Sequence, residues 1–186
     1  VFAVSSWCAS VLCVVLVLSG CGDARGAENT GNDPTGGSST NGPAAAALSK
    51  YLGTWRSVCD KVNSKESEQA TITISAAGAG MSQLRFTNRM AVYEGTACSG
   101  TPVVGTASGT FTFMGKKQVG KAAVDKVVVR LAGVDAPNAS VVPRESKDLL
   151  AIINSRLYTG SVEVSAPRDG AGYPVDLWMD FPSTKQ

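Results

Sequence analysis

Two hydrophobic patterns divide the chain. Near its start lies an apolar run, mainly Trp7 to Leu18, and from Tyr51 onward apolar and polar residues alternate with period two. Thr71-Ile72-Thr73-Ile74-Ser75 alternates β-branched and polar residues, as a half-buried strand does. Gln83 to Thr87 repeats the pattern with Leu84 and Phe86 inward, and Met90 and Val92 continue on one face with Ala91 and Tyr93 on the other. Thr110 to Phe113 alternates again, and Val127 to Leu131 gives the strongest strand signal, with Val127, Val129 and Leu131 on one side. Further strands are expected over Leu149 to Ile153, Arg156 to Val164 and Val175 to Phe181. Turns are expected at Ala77 to Gly80, Ser99-Gly100, Gly115 to Lys117, Ala136 to Asn138 and Asp169 to Gly172. The only helix candidate inside this region is Pro143 to Leu150. Short strands about ten residues apart, without crossover helices, predict an all-β domain whose antiparallel sheet curls into a barrel or sandwich.

The apolar run ends at Leu18-Ser19-Gly20-Cys21, and Gly22 to about Leu48 is built from Gly, Ser, Thr, Asn, Asp, Pro and Ala. The run is too short, and too interrupted by Ser5, Ser6 and Ser10, for a bilayer-spanning helix, which needs about 20 apolar residues; a signal leader fits it better. The stretch ahead of it has no Lys or Arg, a departure from usual leaders. Composition of the second kind cannot bury enough surface to offset the entropy of ordering, so a flexible linker is expected. Ala44 to Ala47 is read either as more linker or as the start of a short helix leading to Leu48 and Tyr51.

Leu18-Ser19-Gly20-Cys21 resembles the lipobox of bacterial lipoproteins, in which the leader is cleaved and the cysteine is acylated. That resemblance implies a leader over 1–20, a lipidated Cys21 with a linker over 21–48, and a folded domain over 49–186. The implied partner is a lipid bilayer, engaged through acylated Cys21, with palmitate as one acyl chain. In enterobacterial lipoproteins an Asp directly after the cysteine retains the protein in the inner membrane. Gly22 holds that position here and Asp23 comes second, so the likeness points to the outer membrane of an organism that has one.

Composition narrows the chemistry. The chain has 186 residues and a formal charge of +2, with no basic block longer than Lys116-Lys117, which argues against a nucleic-acid partner. It has no histidine, which removes imidazole general bases, the usual zinc ligands and the Ser-His-Asp and Cys-His arrangements. Of five cysteines, Cys8 and Cys13 fall in the leader and Cys21 at the lipidation position. Cys59 and Cys98 remain as an even pair in an exported domain, where a disulfide is expected and two buried thiols are the alternative.

Gly53-Thr54-Trp55 resembles the Gly-x-Trp signature of the lipocalin and calycin superfamily. Trp55 to Cys59, Ala91 to Cys98, Leu157 to Gly160 and Gly172 to Leu177 together resemble a group of lipocalin-like bacterial lipoproteins, largely without assigned activity. The likeness covers roughly Tyr51 to Leu177, and Thr101 to Val142 adds nothing to it. It implies an up-and-down barrel of about eight strands whose tryptophan closes the base. A barrel of that size is filled by side chains or holds one small apolar ligand. For a ligand, the expected lining is Trp55, Ile74, Phe86, Val92, Phe111, Phe113 and Val129. No second lipocalin motif and no C-terminal helix are evident. The lysine-rich stretch from Gly115 to Asp125 is either a basic finger that touches lipid headgroups or peptidoglycan, or a solvated loop.

No catalytic constellation emerges. Asp176 and Asp180, four apart on an expected strand, would lie about 13 Å apart, beyond the roughly 5–9.5 Å of a glycosidase pair. Asn138-Ala139-Ser140 fits a glycosylation triplet that carries no weight in a bacterial lipoprotein. The expected function is therefore non-catalytic, without metal or cofactor. The protein would sit on the cell envelope with a barrel that binds a small apolar ligand or lipid, or else serves as a solid interaction module.

Overall fold

The computed structural model describes residues 45–78, 82–135, 144–160 and 166–186. The expected leader, Cys21, the linker up to Ala44, the Ala136 to Asn138 turn, the Asn138 triplet and the continuation of a strand to Val164 lie outside the described residues.

The strands are β1 (Gly53–Ser57), β2 (Asp60–Lys61), β3 (Glu66–Ala76), β4 (Gln83–Glu94), β5 (Val103–Val119), β6 (Ala122–Asp135), β7 (Glu145–Ile153), β8 (Arg156–Thr159) and β9 (Ser183–Lys185). Every pairing is antiparallel. The sheet runs β1-β9-β8-β7-β6-β5-β4-β3, and β1 also pairs with β3, which closes it into an eight-stranded barrel. β2 continues the line of β1 along β3. Closure gives each of these eight strands a partner on both sides along part of its length.

Several expected boundaries shift. Gly115-Lys116-Lys117 is not a turn: β5 runs through it to Val119, and the hairpin closes at Gly120-Lys121, where Gly120 has φ +55°. Pro143 to Leu150 is not helical from Glu145 onward, because Ser146, Asp148 and Leu150 alternate inward opposite Val129, Val127 and Asp125. Val175 to Phe181 is not a strand; apart from an isolated bridge between Leu177 and Gly160 it turns across the surface, and the last strand begins at Ser183. The Asn154-Ser155 hairpin between β7 and β8, with both residues at positive φ, has the backbone of a two-residue turn whose twist suits antiparallel strands.

Helix α1 (Ala45–Leu48) and a 3-10 turn (Ser49–Tyr51) precede β1 and plug one end of the barrel. Leu48 and Tyr51 are fully buried there, and α1 takes in the last four residues of the expected linker. Burying a side chain of this kind contributes roughly 1.5–3 kcal/mol. Trp55 Nε1 donates to Tyr51 O at 2.8 Å, which fixes the indole across the base. Above it, Ile74, Leu84, Phe86, Phe111, Phe113, Val127, Val129, Leu150 and Leu157 form one core cluster with Trp55, Tyr51 and Leu48. Phe86 and Phe111 stack with centroids 4.5 Å apart. Gly109 makes that stack possible at the bulge after Ser108: a Cβ there would overlap the Arg130 carbonyl and press on the Phe86 ring.

A second cluster lies outside the barrel. Val124, Leu149 and Ala151 alternate outward on β6 and β7, and Tyr158 on β8 joins them under Tyr173 and Leu177. The segment from Ala166 to Pro182 thus acts as a strap over the outer face. On the far side of the barrel, Cys59 and Cys98 form a disulfide with Cα atoms 5.8 Å apart.

Candidate functional site

The seven expected ligand-lining residues do not share one environment. Trp55, Ile74, Phe86, Phe111, Phe113 and Val129 belong to the one packed cluster of buried residues. Val92 lies outside it, half-buried and paired with Glu68 toward the other end of β3 and β4. Inward positions at that end include Glu68 and Asn88, both buried, beside half-buried Met90. The interior therefore passes from apolar at the plugged base to polar toward the opposite mouth.

The lysine-rich hairpin is partly committed to the strap. Lys117 Nζ donates to Asp169 Oδ2 at 2.7 Å and to Pro174 O at 2.9 Å. Lys126 and Lys147 place their ammonium groups 5.3 and 5.5 Å from the Tyr173 ring centre. Chiefly the Lys117 hydrogen bond, with that of the Tyr173 backbone, holds the Asp169 carboxyl down at about 2.

Asp148, on the inward face of β7, lies at the end of β8, where Leu177 of the strap bridges Gly160. Its Oδ1 accepts from the N–H groups of Leu149 (2.7 Å) and Gly160 (3.0 Å), where β8 ends. Burial pushes this carboxyl up to about 7, against the opposing pull of those two N–H groups and of the Arg168 charge. Gly160 must lack a side chain, since a Cβ would strike Asp148 Oδ1 and the Pro174 ring.

On the outer wall of β1, β3 and β4 lies a concavity of about 380 Å³ that contains residues the sequence did not single out. The ladder aligns Arg56, Thr71 and Arg89 in one row across the three strands. Arg56 Nε and Nη2 both donate to Gln69 Oε1, at 2.8 and 2.5 Å. Gln69 Nε2 in turn donates to Ser57 O at 3.0 Å. Ala91, paired with Gln69, forms a small buried floor, and Tyr93 and Gln186 complete the rim. Among the described residues, the Arg89 side chain has no hydrogen-bond or ion-pair partner. Outward arginines are legible in the alternation of β4, but their meeting with Arg56 depends on barrel closure.

Among the described residues no three of His, Cys, Asp or Glu gather as a metal site, and no helix is long and apolar enough to cross a membrane. What fold and geometry define is a class: a closed antiparallel β-barrel, plugged at one end, strapped on one side and carrying a disulfide. Compared with protein-family models, curated proteins and solved structures, the chain matches none.

Proposed function

We propose that this chain is an exported, lipid-anchored protein of the bacterial envelope whose barrel acts without catalysis, as a filled scaffold that meets its partner through the outer wall. The observation that carries this reading is the single apolar cluster built by seven strands and the N-terminal plug, which occupies the place a carrier would give its ligand. The Leu18 to Cys21 segment supports lipid anchoring, with the outer membrane favoured where the organism has one. The disulfide is in keeping with an oxidising compartment. The absence of histidine supports a non-catalytic role.

Half-buried Met90 and Val92 at the polar end favour a second reading, in which a small apolar molecule enters from that mouth. Mass spectra of the full chain, exported by a bacterial host and recorded under native and denaturing conditions, separate the two. The filled-scaffold reading expects one protein mass in both; an adduct lost on denaturation would replace it with the carrier. Cys21→Ser should move the protein from the detergent phase to the aqueous phase. Retention in detergent would remove lipid anchoring from the proposal.

A further inference from the structure

We propose that the concavity between Arg56 and Arg89 is a binding site for an oxyanion, the phosphate or carboxylate group of a small ligand. The site stands on the barrel wall whether or not Cys21 is acylated, so it does not rest on the anchoring reading.

The first argument is the donor set. A guanidinium carries five N–H donors. Arg56 gives two of them to Gln69, which leaves three, and all five of Arg89 are open among the described residues. Thr71 stands between the two arginines with its hydroxyl on the same face. Adjacent strands are about 4.8 Å apart, so the two arginine backbones lie about 10 Å apart, a span that both side chains can close over one group above Thr71. Forked N–H pairs match the geometry of carboxylate and phosphate oxygens.

The second argument is charge. The outward positions of β1 to β4 carry Arg56, Lys61, Arg85 and Arg89 and no Asp or Glu. Elsewhere carboxylates answer cations directly: Glu145 sits 2.6 Å from Arg130, Asp169 2.7 Å from Lys117, and Asp125 2.9 Å from Lys50. At the concavity a neutral amide takes that place. Gln69 orients Arg56 and is itself held by the Ser57 carbonyl, and no carboxylate side chain lines the concavity. An oriented guanidinium facing a second one gains most from an incoming anion.

The third argument is shape. Ala91 keeps the floor low between taller neighbours, so a group of phosphate size can settle beside the guanidinium planes, with Tyr93 closing one side.

The test is titration of the full chain with inorganic phosphate and, separately, with citrate, at constant ionic strength, followed by NMR at the arginine Nε and the Thr71 and Ala91 amide resonances. Saturable shifts confined to these groups are expected. Gln69→Glu, nearly isosteric, supplies the missing carboxylate to Arg56 and should abolish binding, at the loss of the Nε2 donation to Ser57 O. Arg89→Gln should weaken binding at least tenfold, and Arg130→Gln, on another part of the wall, should leave it unchanged. Tighter binding of phosphate would assign a phosphorylated ligand, and tighter binding of citrate a carboxylated one. Shifts that rise linearly without saturating, or that survive Gln69→Glu, would overturn the site. Should Arg89→Gln fail to fold, the Gln69→Glu comparison decides alone.

Discussion

The Tyr51 hydroxyl lies 2.7 Å from Asp125 Oδ2 and 3.0 Å from the carbonyl of Leu150, so one proton ties the N-terminal plug to β6 and β7 together. Burial, the hydrogen bond to Asp125 and its negative charge all raise the phenol pKa well above its ordinary value. Lys50 Nζ reaches the same Asp125 oxygen at 2.9 Å from a more exposed position.

Tyr51→Phe should therefore destabilise the barrel by about 1–3 kcal/mol, because Asp125 stays buried with one fewer donor. Lys50→Gln should cost less, within about 1 kcal/mol, since the lysine is partly exposed and the solvent screens it. Denaturant unfolding of both variants checks the order; equal losses would show that the plug is not held by the phenol.

Asp148 makes stability fall with rising pH. Its folded pKa, about 7, lies above the ordinary 3.8, so the folded state binds the extra proton between those values. Its contribution is then fully present below about pH 4 and lost as pH rises through 7, by up to about 4 kcal/mol. Asp169 works in the opposite sense. Its pKa of about 2 means stability is lost as pH falls from about 4 towards 2. Melting temperatures from pH 2 to 8 should show both slopes. Asp148→Asn, which keeps an acceptor for the Leu149 and Gly160 N–H groups, should flatten the upper one alone. A slope between pH 4 and 7 that persists in that variant would assign it to another group.

Reduction of the Cys59–Cys98 bond, or Cys59→Ser with Cys98→Ser, frees a loop with a sequence separation of 39. Chain-entropy reasoning sets the loss at up to about 4 kcal/mol. Cys98 also donates its backbone N–H to Ser67 Oγ at 2.9 Å, so hydrogen exchange near residue 98 should rise before global unfolding. An unchanged denaturation midpoint would remove the disulfide from the account of stability.

Gly160→Ala should loosen the strap, because the added methyl group meets the Asp148 carboxylate and the Pro174 ring. Overpacking of this kind costs about 1–3 kcal/mol. Proteolysis should then cut first between Ala166 and Pro182; cleavage elsewhere with the strap protected would show that Gly160 does not govern its docking.

The alternation of Thr71 to Ser75, Gln83 to Thr87, Thr110 to Phe113 and Val127 to Leu131 determined which side chains face inward, because a strand turns its residues to opposite faces with period two. It also determined the all-β class, and the even cysteine count led to the Cys59–Cys98 pair. Strand ends were less legible: Gly115 to Lys117 looks like a turn in isolation, yet the ladder with β6 carries β5 past it. Glu145 to Leu150 looked helical because its charged residues mask an alternation that only pairing with β6 reveals. The strap, the buried Asp148 and the row of Arg56, Thr71 and Arg89 were decided by the tertiary structure alone. The row depends on β1 closing on β3, and the strap and Asp148 on how β6, β7 and β8 pair; these registers are set by packing across the barrel, not by any local run of residues.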